Sequence, residues 1–191
     1  MRLTTLVLAA ALAAPAGMAA GEDAFDVEAA AAVCAGCHGE DGVPIEPDYP
    51  VIWGQQFYYT YVQLKDYNSG LRANDIMGPQ VADFDRDQMK ALATYFSEKA
   101  WPRIVPDKDD ARTSAGEGVA ASGECSACHN TYMGDSRVPR VAGQQEAYLS
   151  RTLLEFKNKV RNNAPAMGSL MRTFDDADIE AVAHFLATRG Q

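Results

Sequence analysis

The pentapeptide Cys-x-x-Cys-His occurs twice in this chain, as Cys34-Ala35-Gly36-Cys37-His38 and as Cys125-Ser126-Ala127-Cys128-His129, and these four are its only cysteines. A motif copied 91 residues further on predicts two similar units in tandem. With 191 residues in all, each unit has fewer than 100. Domains that small leave much of their surface exposed and commonly need a staple. What the cysteines hold therefore bears on how each half folds.

More of the chain repeats around the pentapeptides. Pro50-Val51-Ile52-Trp53-Gly54-Gln55-Gln56 aligns with Pro139-Arg140-Val141-Ala142-Gly143-Gln144-Gln145 at an offset of 89, followed by Tyr59 over Tyr148 and Leu64 over Leu153. Met77-Gly78 falls on Met167-Gly168 and Phe84-Asp85 on Phe174-Asp175. Met89, Leu92, Ala93 and Phe96 match Ile179, Val182, Ala183 and Leu186, both sets with the i, i+3, i+4, i+7 spacing of one buried helical stripe. Asp85 and Asp175 precede these stripes as N-cap residues. Each half is predicted to contain three helices and long loops. These are an alanine-rich helix running into the pentapeptide, a second over about 56–67 or 146–158, and the closing amphipathic helix. No segment alternates apolar and polar residues as a half-buried strand does, so the fold class is all-α. The segment from Trp101 to Asp110, with two prolines and a charge run, reads as a linker. The expected layout is a first domain over 21–99, a linker over 100–111 and a second domain over 112–191.

Residues 1–20 are set apart from the fold. Arg2, an apolar run from Leu6 to Ala14 and the small residues up to Ala20 have the three regions of a secretory signal peptide, cleaved near Ala19 or Ala20. The apolar run is shorter than the roughly 20 residues of a spanning helix. Export to the periplasm is the expectation. The chain carries 17 basic against 26 acidic side chains, a net charge of −9 that becomes −10 without Arg2. Such a surface disfavours nucleic acid and points to partners with basic patches.

In Cys-x-x-Cys-His the two thiols lie on one side of a helical turn, beside the following imidazole. That arrangement suits two thioether links to a haem whose iron the histidine ligates. A zinc site shared by the four thiolates would leave the repeated His38 and His129 unexplained. Disulfides within each pair would close loops too short to stabilise much. Two covalent haem c groups, on Cys34, Cys37, Cys125 and Cys128, instead give each small domain a large apolar core. The repeat also selects the sixth ligands. Met89 matches Ile179 on the buried stripe, Met171 matches Val81, and Met133 has no counterpart. Met77 and Met167 recur at one place, 39 and 38 residues after His38 and His129, in loops before the last helix. The expected axial pairs are His38 with Met77 and His129 with Met167. His184 matches Thr94 and is read as a partly exposed helix residue. Tyr58, Tyr59, Tyr61 and Tyr67 are open to two readings, haem contacts or helix-face packing.

Together with the two Gly-Gln-Gln turns, these residues resemble the two-haem cytochrome c4 family over essentially the whole mature chain. The resemblance implies tandem class I cytochrome c domains packed through their haem edges. It also implies that the carbonyls of Pro50 and Pro139 accept from the axial histidines. The function it implies is that of a periplasmic carrier transferring electrons between a respiratory donor and a terminal oxidase or other acceptor, with peripheral association at a membrane oxidase. The cytochrome subunit of a flavoprotein sulfide dehydrogenase has the same two-domain plan and is the alternative. Filled axial positions argue against peroxidase or thiosulfate-oxidising chemistry at either iron, and methionine ligation raises the potential.

Overall fold

The computed structural model describes residues 25–104, 106–107 and 109–190; the expected leader lies outside them. The described residues form helices α1 (Val27–His38), α2 (Phe57–Asn68), α3 (Met77–Val81), α4 (Arg86–Ser97), α5 (Asp110–Ser122), α6 (Cys125–Cys128), α7 (Glu146–Lys157), α8 (Pro165–Met171) and α9 (Asp176–Thr188). Among the described residues the only β pairing is an isolated bridge between Asp135 and Val138.

The main helix packings fall within α1–α4 and within α5–α9. In the first group α4 lies on α1 and α2, with α3 against α2; in the second α9 lies on α5 and α7, with α8 against α7. The closing helices α4 and α9 follow from their stripes. Met89, Leu92, Ala93 and Phe96 are buried on α4, and Ile179, Val182, Ala183 and Leu186 on α9. Burying each large aliphatic side chain contributes about 1.5–3 kcal/mol. Asp85 and Asp175 start these helices with capping boxes, Asp85 accepting from the Asp87 and Gln88 N–H groups and Asp175 from the Asp178 N–H. Gly54 N–H donates to the Phe96 carbonyl at 2.8 Å and Gly143 N–H to the Leu186 carbonyl at 2.9 Å. Each Gly-Gln-Gln turn is thereby tied to the end of its own closing helix.

The chain has more helix than the sequence pattern suggests. Met77 opens α3 and Met167 sits within α8, so both lie in short helices rather than loops. Runs of five to seven residues are too short to declare a helical period. The two pentapeptides also differ. Cys34, Cys37 and His38 belong to one continuous α1, whereas Glu124 at φ 49° breaks the chain between α5 and α6. Helix α5 already begins at Asp110, ahead of the expected domain start at 112.

His184 departs from expectation most. It is 1% exposed on α9, its Nδ1 is 2.8 Å from Glu146 Oε2, and its Nε2 accepts from the Asp109 N–H at 3.4 Å. Because Nε2 accepts, the proton sits on Nδ1 and is given to Glu146. Glu146 also accepts from Arg112 at 2.5 Å, so this network ties the end of the linker, α5 and α7 to α9. Position 94 of the first half holds threonine, and the aligned pattern therefore carried no sign of the network.

A Cβ at Gly116 would stand 2.1 Å from the Ala181 carbonyl oxygen where α5 crosses α9. Gly116→Ala is expected to lower unfolding free energy by about 1–3 kcal/mol in denaturant titration. For Glu146, burial opposes ionisation, but hydrogen bonds from His184 and Arg112 outweigh it and hold the carboxyl below its ordinary 4.5. A carboxyl whose pKa is lower in the folded chain stabilises fully above its unfolded value and loses that stabilisation as pH falls through the folded value. Glu146→Gln is therefore expected to be less stable than the parent at neutral pH. The difference should close as the pH drops below 4.5, read by denaturation across a pH series.

Candidate haem-binding site

Each pentapeptide histidine is fixed by a backbone carbonyl. His38 Nδ1 lies 2.8 Å from the Pro50 oxygen and His129 Nδ1 lies 2.9 Å from the Pro139 oxygen. A carbonyl only accepts, so Nδ1 carries the proton in both rings and Nε2 presents its lone pair. Burial lowers the pKa of both imidazoles against the opposing effect of the carbonyls, which keeps them neutral and able to ligate. Cys34, Cys37 and Cys125 are half-buried and Cys128 is exposed, and burial raises the pKa of the Cys34 and Cys125 thiols. Met77 N–H donates to Asn74 Oδ1 at 2.7 Å, which anchors the start of α3. Met167 packs partly buried against the core of the second half.

The seam between the halves carries residues that sequence reading missed. Arg72 and Arg161, 89 residues apart, are 6% and 5% exposed. They make matched contacts. Each backbone N–H donates to the carbonyl six residues earlier, Asp66 or Glu155, and each guanidinium lies over an aromatic ring of its own half, Tyr67 at 4.6 Å or Phe156 at 4.4 Å. Each also crosses the seam, Arg72 donating to the Tyr148 hydroxyl at 3.1 Å and Arg161 to the Tyr59 hydroxyl at 3.4 Å. Both donate to Gln63 Oε1. Tyr58 reaches across as well, accepting from Arg137 at 3.1 Å. Among the described residues no carboxylate forms an ion pair with Arg72 or Arg161. Burial raises the Tyr67 hydroxyl well above its ordinary value. For Tyr148 burial acts the same way, but Arg72 and Arg161 outweigh it and bring the hydroxyl down to about 7. The signal for the pair was legible in principle, because arginine recurs at the repeat offset of 89.

These features fit a haem. Two buried guanidinium groups without carboxylate partners, and the buried Trp53 Nε1 with no acceptor, supply donors for its propionates. Among the described residues of the first half, the buried cluster is Ala31, Leu92 and Phe96, while Ile52, Trp53, Leu64, Phe84 and Tyr95 remain partly exposed around it. Such a core has apolar surface to spare for a macrocycle.

Relatives point the same way. Residues 111–186 match the family described as cytochrome C oxidase, cbb3-type, subunit III. The thiosulfate dehydrogenase electron acceptor of Stutzerimonas stutzeri (strain A1501) is 33% identical over 175 residues, covering 85% of this chain and 81% of its own. Cytochrome c4 of Thiocapsa roseopersicina is 29% identical over 167 residues, 81% of this chain and 85% of the relative. The crystal structure of reduced recombinant cytochrome c4 from Pseudomonas stutzeri matches with a TM-score of 0.77 at 26% identity, covering 87% of this chain and all of that one. All-α architecture, doubled pentapeptides and these likenesses define a two-domain class I cytochrome c, an electron carrier rather than an enzyme. The chain belongs to the cytochrome c4 family, and its cofactors are two covalently bound haem c groups.

A buried positive charge disfavours the ferric state. Arg72→Gln and Arg161→Gln are each expected to lower at least one of the two haem potentials in a potentiometric titration. Each is also expected to cost about 1–3 kcal/mol of stability through the partners left unsatisfied.

Proposed function

We propose that this chain is an exported, periplasmic two-haem carrier. In this reading Cys34, Cys37, Cys125 and Cys128 hold the haems, and His38 with Met77 and His129 with Met167 fill the axial positions, in domains spanning about 21–99 and 112–191. The observation that carries it is the pair of His–Pro hydrogen bonds, at 2.8 and 2.9 Å, which leaves both Nε2 atoms free to ligate. Each haem, when bound, supplies one reversible electron. The chain's part is to hold each imidazole in one tautomer and one orientation. It also keeps the methionine sulfurs on short packed helices and surrounds the site with apolar side chains. Methionine in the sixth position and burial both favour the ferrous state, so the potentials are high. An excess of nine negative charges favours donors and acceptors with basic docking patches, including a membrane oxidase approached peripherally.

A second reading makes the chain the cytochrome partner of a periplasmic dehydrogenase acting on reduced sulfur, as in a flavoprotein sulfide dehydrogenase complex. The relative named thiosulfate dehydrogenase electron acceptor supports it. Gel filtration separates the two: a complex with the dehydrogenase that survives high salt supports the bound subunit, and salt-sensitive binding the free shuttle.

The ligand set is tested by Met77→Ala and Met167→Ala. Each is expected to remove about half of the methionine–iron charge-transfer band of the oxidised protein and to lower one potential. A band that stays intact in either variant excludes that methionine as a ligand.

A further inference from the structure

The two glutamines that open the second position of the Gly-Gln-Gln turns do not serve their own halves. Gln55 and Gln144, 5% and 4% exposed, each reach across the seam to a backbone segment of the other half. Gln144 Oε1 accepts from the Val51 N–H at 2.8 Å and its Nε2 donates to the Val51 carbonyl at 3.0 Å. Gln55 Oε1 accepts from the Arg140 N–H at 2.8 Å and its Nε2 donates to the Arg140 carbonyl at 2.9 Å. Val51 and Arg140 are the residues after Pro50 and Pro139. The peptide group Pro50–Val51 thus carries two bonds at once, its carbonyl taking the His38 Nδ1 proton and its N–H giving to Gln144. The peptide group Pro139–Arg140 does the same between His129 and Gln55.

A peptide unit is conjugated, so its two ends are not independent. Donation by its N–H shifts electron density onto its own oxygen and makes that oxygen a better acceptor. A better acceptor at Nδ1 makes the imidazole a more basic ligand. We propose that Gln55 and Gln144 are crossed positioning residues: each holds the peptide group that orients the axial histidine of the opposite half, and so helps to set the reduction potential of the opposite haem. The proposal rests on His38 and His129 being the ligands. It assigns a reason for the glutamine in each turn that packing does not supply, since burying two primary amides is favourable only when their hydrogen bonds are made. Here each side-chain oxygen takes two backbone protons, the crossed one and that of its own neighbour, Gln56 or Gln145, at 2.9 Å.

The test is a redox titration of the holoprotein with the two haems resolved by their hyperfine-shifted methyl NMR signals. The signals are assigned with Met77→His and Met167→His, each of which lowers one potential. Gln144→Met removes the acceptor for Val51 N–H, weakens the Pro50 oxygen and is expected to raise the potential of the haem on Cys34 and Cys37 more than the other. Gln55→Met is expected to give the mirror result, raising the haem on Cys125 and Cys128. Gln144→Glu keeps the acceptor for Val51 N–H but loses the donor to the Val51 carbonyl and adds a negative charge, so it is expected to lower both potentials and the first haem's by more; it also serves if the methionine variant does not fold. A shift confined to the glutamine's own half, an equal shift at both haems, or none at all overturns the proposal. Failure of the ligand assignment shows separately, as an unaltered protein lacking the histidine–methionine signature at that haem.

Discussion

The structure depends on how two small peptide groups, Pro50–Val51 and Pro139–Arg140, are pinned. Each receives a histidine proton on one side and gives its own to a glutamine on the other. Such a group can neither tilt nor drift without breaking a buried bond, and an unsatisfied buried amide costs about 1–3 kcal/mol. The imidazole that leans on it therefore keeps one tautomer and one direction. The other constraints converge there. The closing helices α4 and α9 anchor the glycine turns, the turns aim the glutamines, and the glutamines span the seam.

The seam is also where charge is concentrated out of water. Arg72 and Arg161 lie buried over aromatic rings and share Gln63, with tyrosine hydroxyls rather than carboxylates as their crossed partners. A buried cation without a counter-ion is costly unless something negative completes the site. Haem propionates would have the right charge to do so. Size and cofactor are linked most tightly in the first half, whose buried cluster is small and leaves apolar side chains around it for a covalently bound macrocycle to cover, whereas the second half buries an extensive core of its own.

The sequence was most informative where chemistry is local. The pentapeptides, the capping aspartates and the helical stripes are all set by residues within a few positions of one another, and Met89 and Ile179 are buried as their spacing predicts. It was least informative where a short element or a distant partner decides. Met77 and Met167 look like loop residues in the sequence because helices of five and seven residues show no usable period. The burial of His184 has no local sign because its partners, Glu146 and the Asp109 N–H, are 38 and 75 residues away. Tyr58, Tyr59 and Tyr67 were legible as a cluster but not as residues of a seam.

By itself, then, the order of the amino acids determined the doubled unit, the all-helical class, the haem chemistry and the set of axial candidates, because spacing along a chain is enough to bring two thiols and an imidazole to one turn. Only the tertiary structure decided that Gln55 and Gln144 exchange places across the seam, that Arg72 and Arg161 meet there unpaired by carboxylates, and that His184 is buried. Those outcomes depend on which faces the two halves present to each other. The physical reason is that a hydrogen bond between residues 85 or 93 positions apart leaves no local pattern; it exists only once packing has brought the two segments within 3 Å of each other.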